Sequence, residues 1–367
     1  MFIKGNNLIS KDIRNILLIQ LGDIGDVVWA TPTFRAVKEA YPQAKVSVLL
    51  RENFGSLLEK DPHIHSIFEV KRYRGNFVEK MKGQIRFLRA LRQERFDLVF
   101  DLRLDDRGAF AAFFTSAPIR VSIIHNNIPW RNLLFTHLVD PSPTNERVYG
   151  AAEQTLKIVR EFNIDSKNTI PKLWVGAKTI ERMRSLLNQK GISGIKDCVS
   201  INPFSRWRYK EWDYQKWIQS IDWLWKNYRI PAVIVGSAEE IEKAEYIKRQ
   251  SCGQIFNLAG RTTLGELAGL LSLSWLHIGV DSAATHIAAA VGTPTITIYG
   301  PSDWLDWAPL GKAHSVITPD RDCAPCHQKG CDGSGISKCL ETLSVDSVKS
   351  AVRVFLEKNG IVINRGG

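Results

Sequence analysis

Short apolar runs alternate with helical patterns through most of the chain, in two successive series. A continuous apolar run suits a strand covered on both faces, and strands separated by helices predict a parallel sheet. The candidate strands lie at residues 16–20, 46–50, 67–70, 98–101 and 119–124 in the first series, and at 198–202, 232–235, 255–258, 275–278 and 295–299 in the second. The sequence therefore predicts two α/β, Rossmann-like domains facing each other across a cleft lined by the carboxyl ends of both sheets.

Helical patterns separate these strands. They lie at residues 27–40, 79–95 and 146–162 in the first series, at 179–188, 212–228, 239–249, 264–273 and 283–291 in the second, and at 345–358 near the end of the chain. Within 79–95, Met81, Ile85, Leu88 and either Leu91 or Arg92 recur at helical spacing, which predicts a helix. The expected domains are residues 1–165, residues 166–345, and a C-terminal helix and tail at 346–367.

Length and charge narrow the class of protein. With 367 residues the chain is long enough for two cores, and no apolar run reaches the ~18–20 residues that span a bilayer. The first dozen residues lack the apolar core of a signal peptide, so a cytoplasmic location is expected. The net charge is +11, and residues 71–97 hold nine Lys or Arg against three Asp or Glu. This excess favours an anionic partner: a nucleic acid, a phospholipid surface, or a phosphorylated or carboxylated substrate.

One strand-to-helix turn, DSAATHIAAAVGTP at residues 281–294, lies between two apolar runs. Asp281 and Ser282 are suited to capping the helix, and Gly292 with Pro294 to ending it. Such a helix start offers unpaired N–H groups and a positive dipole end to anions such as diphosphates. An ordinary capped crossover helix would give the same pattern.

A second strand-to-helix turn, LGDIGD at residues 21–26, follows the first apolar run. Its glycines, Gly22 and Gly25, lack the third glycine of a dinucleotide-binding fingerprint. They still let a backbone or ligand approach closely, and Asp26 stands at the mouth of the helix. Asp105 and Asp106, next to Arg107, are interpreted as a solvated loop.

Several segments together resemble the bacterial heptosyltransferases of glycosyltransferase family 9. They are ILLI at 16–19, GDVVWATP at 25–32, YPQAKV at 41–46, FDLVFDLR at 96–103, the 281–294 turn and YGP at 299–301. The resemblance covers about residues 16–348. It implies a two-lobed GT-B glycosyltransferase that transfers L-glycero-D-manno-heptose from an ADP-sugar to the inner core of lipopolysaccharide. The cysteine-rich segment before the last helix is more similar to the later-acting core heptosyltransferases.

The resemblance assigns the catalytic role to Asp26. Inverting sugar transfer needs a base for the acceptor hydroxyl and positive charge for the leaving diphosphate. Asp26 matches the family's catalytic aspartate, although the residue is equally suited to capping its helix.

The predicted donor contacts lie in the second domain. They are Ser205, Lys210, Glu240, Asp281, Ser282, Ala283 and His286. By resemblance, Lys210 and Ser205 contact phosphate and Glu240 holds ribose hydroxyls. Ala283 departs from the family's usual glycine, and a left-handed turn at that position would disfavour alanine.

The acceptor is expected in the first domain. Its predicted contacts are Gly25, Arg72, Arg74, Arg103 and Arg120. Lipopolysaccharide carries Kdo carboxylates and lipid A phosphates, and the inner leaflet is also anionic. The basic stretch would thus serve both acceptor binding and peripheral association with the inner membrane, while its later arginines also fit a solvated helix face. No nucleic acid partner is expected, since no aromatic-basic RNA motif is present.

Four of the six cysteines, Cys323, Cys326, Cys331 and Cys339, are closely spaced and stand near His327. The spacing allows a structural zinc, but reduced thiols or a redox-dependent loop are favoured, and no cofactor is required for transfer. Cys198 and Cys252 are predicted to be core thiols. No Asp-x-Asp pair stands at a strand end, so no catalytic metal is expected.

Two other functions remain open from the residues alone. One is a related GT-B transferase or sugar-nucleotide epimerase with another donor. The other is a catalytically silent nucleotide-binding module. Activity after replacement of Asp26 would distinguish an enzyme from a binder.

Overall fold

The computed structural model describes residues 12–71, 73, 76–140, 147–192 and 197–359. The chain divides into two compact units, Met1–Trp174 and Val175–Gly367, here named unit 1 and unit 2. None of the helices within the described ranges is both long and apolar enough to cross a membrane.

Unit 1 contains a parallel six-stranded sheet. Its strands are β1 (Asn15–Ile19), β2 (Lys45–Arg51), β3 (Ser66–Val70), β4 (Leu98–Asp101), β5 (Ile119–Ile123) and β6 (His137–Val139), in the order β3-β2-β1-β4-β5-β6. Its helices are α1 (Ile24–Trp29), α2 (Thr31–Ala40), α3 (Phe77–Gln93), α4 (Asp106–Thr115), α5 (Pro129–Asn132) and α6 (Glu153–Arg160). Four residues of β1, Ile16 to Ile19, are fully buried, as expected of a strand covered on both faces.

Unit 2 repeats this topology. Its parallel strands are β7 (Val199–Asn202), β8 (Ala232–Ile234), β9 (Ile255–Asn257), β10 (Leu276–Val280), β11 (Thr295–Ile298) and β12 (His314–Ile317), in the order β12-β11-β10-β7-β8-β9. Its helices are α7 (Ala177–Asn188), α8 (Tyr214–Tyr228), α9 (Ile241–Gln250), α10 (Leu264–Leu273), α11 (Ala283–Ala290), α12 (Trp304–Trp307), α13 (Lys338–Thr342) and α14 (Val345–Lys358). Helix α14 packs into the core of unit 2 through Val348, Val352 and Leu356.

In each sheet, the order of the strands reverses next to the first strand of the unit. The order of strands reverses between β1 and β4 in unit 1, and between β7 and β10 in unit 2. Ligands of doubly wound sheets bind at the carboxyl ends of the strands at such a switch point. The prediction of two Rossmann-like domains is confirmed.

Two predicted helices differ in the structure. The pattern at 27–40 forms two helices, because α1 ends at Trp29 and α2 restarts at Thr31 with Pro32 in its first turn. Proline has no N–H to donate, so it is best tolerated there. The pattern at 146–162 forms a 3₁₀ segment, Arg147–Ala152, and then α6, since Gly150 has a non-helical φ of 54°.

The interpretation of Asp105 and Asp106 as a solvated loop was wrong for Asp106, which is the first residue of α4. Asp105 is the N-cap of α4, and its carboxylate accepts a hydrogen bond from the Arg107 N–H at 2.9 Å. The helix predicted at 79–95 is confirmed as α3, Phe77–Gln93. Leu91 is buried, but Met81 and Ile85 are exposed.

Candidate active site

Asp26 lies at the switch point of unit 1, in the first turn of α1. Its Oδ2 accepts the backbone N–H of Asp23 at 2.7 Å, and the Asp23 side chain caps the helix in return. A Cβ on Gly22 would lie 2.5 Å from that oxygen. Glycine at position 22 is therefore required for the observed position of the carboxylate.

Arg103 follows the neighbouring strand β4 and reaches the same carboxylate. Its Nη1 lies 3.1 Å from Oδ1 of Asp26, whose side chain is only 10% exposed. On the other side, Arg51 at the end of β2 pairs with Asp23 at 2.7 Å. The carboxyl ends of three adjacent strands thus assemble two carboxylates and two guanidinium groups.

A buried ion pair lies beneath Arg103. Asp101, the last residue of β4, contacts Arg131 at 2.8 Å, and both side chains are inaccessible to solvent. Asp101 also accepts the backbone N–H of Arg103 at 3.3 Å. Burial raises the pKa of Asp101 to about 7, although the Arg131 guanidinium opposes this shift. This pair was not predicted from the sequence. The pattern that could have indicated it is a charged residue, Asp101, at the end of an apolar strand.

The other predicted acceptor contacts have different surroundings. The Arg120 guanidinium donates to the carbonyls of Leu134 at 2.9 Å and Ala117 at 2.6 Å, so it braces the backbone around β5 and β6. Gly25 lies within α1. Arg72 and Arg74 lie outside the described residues.

Unit 2 has its own charged cluster at the switch point. Lys210 Nζ lies 2.6 Å from Oδ2 of Asp281, and His286 Nε2 lies 3.7 Å from Oδ1. Burial of Asp281 would raise its pKa, but the His286 imidazole and the Lys210 ammonium together hold the pKa well below its usual range. Asp281 is therefore an anion at neutral pH, and it fixes both neighbours.

Asn202, which the sequence analysis did not select, joins three strand ends. Its Oδ1 accepts the Ser282 hydroxyl at 2.7 Å, and its Nδ2 donates to the Val235 carbonyl at 2.9 Å. Ser282 is the N-cap residue of α11, as predicted, but its hydroxyl donates to Asn202 and makes no capping hydrogen bond. Ala283 is the first residue of α11, so this position has no left-handed turn, and alanine is accommodated.

Ser205 and Glu240 are held by local backbone contacts. The Ser205 N–H donates to Glu211 at 3.1 Å, and its hydroxyl accepts the Trp207 N–H at 3.3 Å. Glu240 accepts the Ser237 N–H at 2.6 Å in a capping box. A Cβ on Gly236 would lie 2.7 Å from this carboxylate, which repeats the relation of Gly22 to Asp26.

A cavity of about 440 Å³ lies beside the segment that joins β7 to α8. Arg208, Glu211, Tyr214 and Lys243 line it, together with residues of the segment before α13. Lys210, Asp281 and His286 are not among its lining residues. We therefore locate the candidate donor site by the charged cluster rather than by this cavity.

The cysteine-rich segment of unit 2 carries free thiols. Cys323 is exposed, Cys326 and Cys331 are half-buried, and Cys339 is buried in α13. Among the residues that the structure describes, no three His, Cys, Asp or Glu side chains are placed to hold a metal ion. Cys198 is buried as predicted, but Cys252 is exposed just after α9, so the prediction of a core thiol was wrong there.

Solved structures of similar fold define the class of protein. A family 9 glycosyltransferase from Veillonella parvula matches with a TM-score of 0.81 and 19% identity, over 96% of this chain and 100% of the other. The E. coli ADP-heptose lps heptosyltransferase II matches with a TM-score of 0.74 and 20% identity, over 95% and 100% of the two chains. Both comparisons show that the two Rossmann-like units have the GT-B fold.

Sequence comparison identifies the family. The family model for glycosyltransferase family 9 (heptosyltransferase) matches residues 84–336. Lipopolysaccharide heptosyltransferase 3 of Escherichia coli is 30% identical over 292 residues, which cover 78% of this chain and 83% of the relative. The chain belongs to glycosyltransferase family 9, and the protein is a glycosyltransferase.

Proposed function

We propose that the protein transfers heptose from ADP-L-glycero-D-manno-heptose to the inner core of lipopolysaccharide, with inversion at the anomeric carbon. The E. coli relative that is 30% identical is named for lipopolysaccharide, and the E. coli enzyme of similar fold is named for ADP-heptose. The same similarity supports assignment to the later-acting core heptosyltransferases.

Asp26 is the general base of the proposed reaction. An acceptor hydroxyl attacks the anomeric carbon and passes its proton to the Asp26 carboxylate, while the bond from that carbon to the diphosphate oxygen breaks and ADP leaves. Arg103, 3.1 Å from this carboxylate, holds it in place and offers positive charge to an anionic acceptor. We propose the same anion-binding role for Arg72 and Arg74 of the basic stretch.

The donor site of the proposed enzyme is the charged cluster of unit 2. Lys210 and His286, both fixed by Asp281, stabilise the charge that develops on the leaving diphosphate. The N–H groups of Ser282, Ala283 and Ala284 and the Ser205 hydroxyl add donors, and Glu240 holds the ribose. The cluster in unit 2 is the single observation that carries the proposal, because it supplies a lysine ammonium and an imidazole at the switch point where nucleotides bind.

The enzyme is proposed to act in the cytoplasm, on the inner face of the inner membrane. The basic stretch at 71–97 supports this location, since the leaflet and the acceptor are both anionic.

Transfer is tested with purified protein, ADP-heptose and a heptose-deficient core acceptor, with mass spectrometry of the product. Asp26→Asn should lower the rate by about three orders of magnitude while ADP affinity is retained. The matched control is Asp346→Asn, which replaces an 85% exposed carboxylate in the first turn of α14. Full activity of Asp26→Asn would refute the base assignment, and protection against heat by other sugar nucleotides but not ADP-heptose would refute the donor.

A further inference from the structure

The outward face of α4 is aromatic. Phe110, Phe113 and Phe114 recur at helical spacing and are 46%, 44% and 42% exposed. The opposite face of the helix, made of Gly108, Ala109, Ala111, Ala112 and Thr115, is buried against the sheet. The three phenylalanines lie outside the buried core of unit 1 and pack on one another and on neighbouring surface side chains, since Phe113 contacts Phe114 edge-on.

The aromatic face continues onto α5. Trp130 stacks on Phe110 with ring centroids 5.5 Å apart and is 44% exposed. Leu133, which follows α5, is 81% exposed. We name Phe110, Phe113, Phe114, Trp130 and Leu133 the aromatic surface. Contiguous exposed apolar surface of this kind marks an interaction site.

Helix α3 contacts α4, and its exposed surface carries an apolar stripe beside a basic stripe. Phe77, Val78, Met81 and Ile85 are exposed along one side, and the exposed cations Lys82, Arg86 and Arg89 follow on the adjacent side. A helix with neighbouring apolar and basic stripes suits the boundary between acyl chains and anionic headgroups.

We propose that the aromatic surface and the exposed side of α3 form a docking surface for an anionic phospholipid bilayer. The apolar side chains enter the acyl boundary, and the cations of α3 contact the headgroup phosphates. A second copy of the chain fits less well, since a two-fold interface would bring the same basic stripes together. One end of the surface adjoins the candidate catalytic centre, because Trp130 precedes Arg131, which pairs with Asp101 at 2.8 Å.

The test measures sedimentation of the full-length protein with sucrose-loaded vesicles. One set contains equal parts of phosphatidylglycerol and phosphatidylethanolamine, and the other only phosphatidylcholine. The apolar variant is Phe110→Ser/Phe113→Ser/Phe114→Ser, and the charge variant is Arg86→Gln/Arg89→Gln. The control, Val316→Ser/Val354→Ser, removes exposed apolar residues from unit 2.

We expect the wild type and the control to bind the anionic vesicles and not the neutral ones. Each α3 or α4 variant should lose about tenfold or more in vesicle affinity, and the charge variant should do so without a change in melting temperature. Equal binding by the apolar variant would overturn the proposal. So would a wild-type dimer that the apolar variant converts to monomer without any vesicle binding.

This inference rests on the proposed function only in that the acceptor is embedded in a membrane. A second measurement, of transfer activity, separates failure of the docking surface from failure of the proposed function. The apolar variant should retain transfer to a deacylated, soluble acceptor but lose it on the same acceptor embedded in anionic vesicles. Transfer by neither protein to either acceptor would refute the proposed function and leave the vesicle result standing. Equal transfer to the embedded acceptor would overturn the docking surface alone.

Discussion

The Arg103 guanidinium lies 3.1 Å from the carboxylate of Asp26, at the ends of two adjacent parallel strands. The Arg103 side chain is 41% exposed, so solvent screens this pair. Exposed ion pairs contribute only about 0–1 kcal/mol to stability. The Arg103–Asp26 pair therefore adds little to stability. Its role is to orient Asp26, and the buried Asp101–Arg131 pair supports that role because Asp101 accepts the backbone N–H of Arg103.

Arg103→Gln should reduce activity far more than stability. The variant loses the cation that orients Asp26, so we expect kcat for transfer to fall about tenfold to a hundredfold. The melting temperature should be unchanged. The control is Arg107→Gln, which removes an exposed arginine paired with Asp105 at 3.0 Å in the same segment. Wild-type kcat in Arg103→Gln would exclude a role for this arginine in the reaction.

Gly22→Ala should misplace Asp26 by a steric clash. The new Cβ would meet Oδ2, Cβ and Cγ of Asp26 at 2.5–2.8 Å, so the carboxylate must move. We expect kcat to fall by about an order of magnitude or more with ADP affinity unchanged.

Gly236→Ala is the matched variant in unit 2, where the new Cβ would meet Glu240 at 2.7 Å. Here donor affinity should fall instead. Steady-state kinetics with calorimetric ADP titration separates the two effects, and identical profiles for both variants would contradict the assignment of one glycine to each substrate.

The fold was predictable where burial leaves a pattern in the sequence. The apolar residues of β1 and the amphipathic pattern of α14 gave elements close to those observed. Strands β6 and β12 were missed because they are short edge strands, and β12 exposes two of its four residues. Helix α4 was missed because its large apolar residues point outward and its buried face is small.

The site was predictable only in part. Asp26, Lys210, Asp281 and His286 lie in motifs that the sequence displays, but their partners depend on strand order. Arg51 and Arg131 reach Asp23 and Asp101 from positions 28 and 30 residues away, through sheet topology and packing. No local sequence pattern predicts such ion pairs.

Removal of Lys210 should destabilise unit 2 as well as weaken donor binding. Lys210→Met leaves the carboxylate of Asp281, 6% exposed, without its closest cation. Loss of one partner from a buried pair costs about 3 kcal/mol, and ADP affinity should fall about tenfold or more.

The double variant Lys210→Met/Asp281→Asn should recover part of the stability but not the ADP affinity, since the buried charge is gone while the phosphate contact stays lost. Urea unfolding and ADP titration of Lys210→Met, Asp281→Asn and the double variant measure both. Additive stability losses would contradict a direct pairing.

The buried imidazole of His277 should make the stability of the protein fall with acid. His277 in β10 is fully buried, its Nδ1 lies 3.0 Å from the Ser200 hydroxyl, and burial lowers its pKa to about 3. The unfolded chain binds a proton near pH 6.5 that the folded chain does not. Stability is therefore retained above that pH and decreases as the pH falls toward 3.

Between about pH 6.5 and pH 5, this difference corresponds to a loss of about 2 kcal/mol in the free energy of unfolding. His277→Gln removes the titrating group, so its unfolding free energy should decrease less over the same range. His65→Gln, the same replacement at an exposed position, is the control. Urea unfolding at both pH values tests this, and equal slopes for wild type and His277→Gln would show that His277 is protonated in the folded protein.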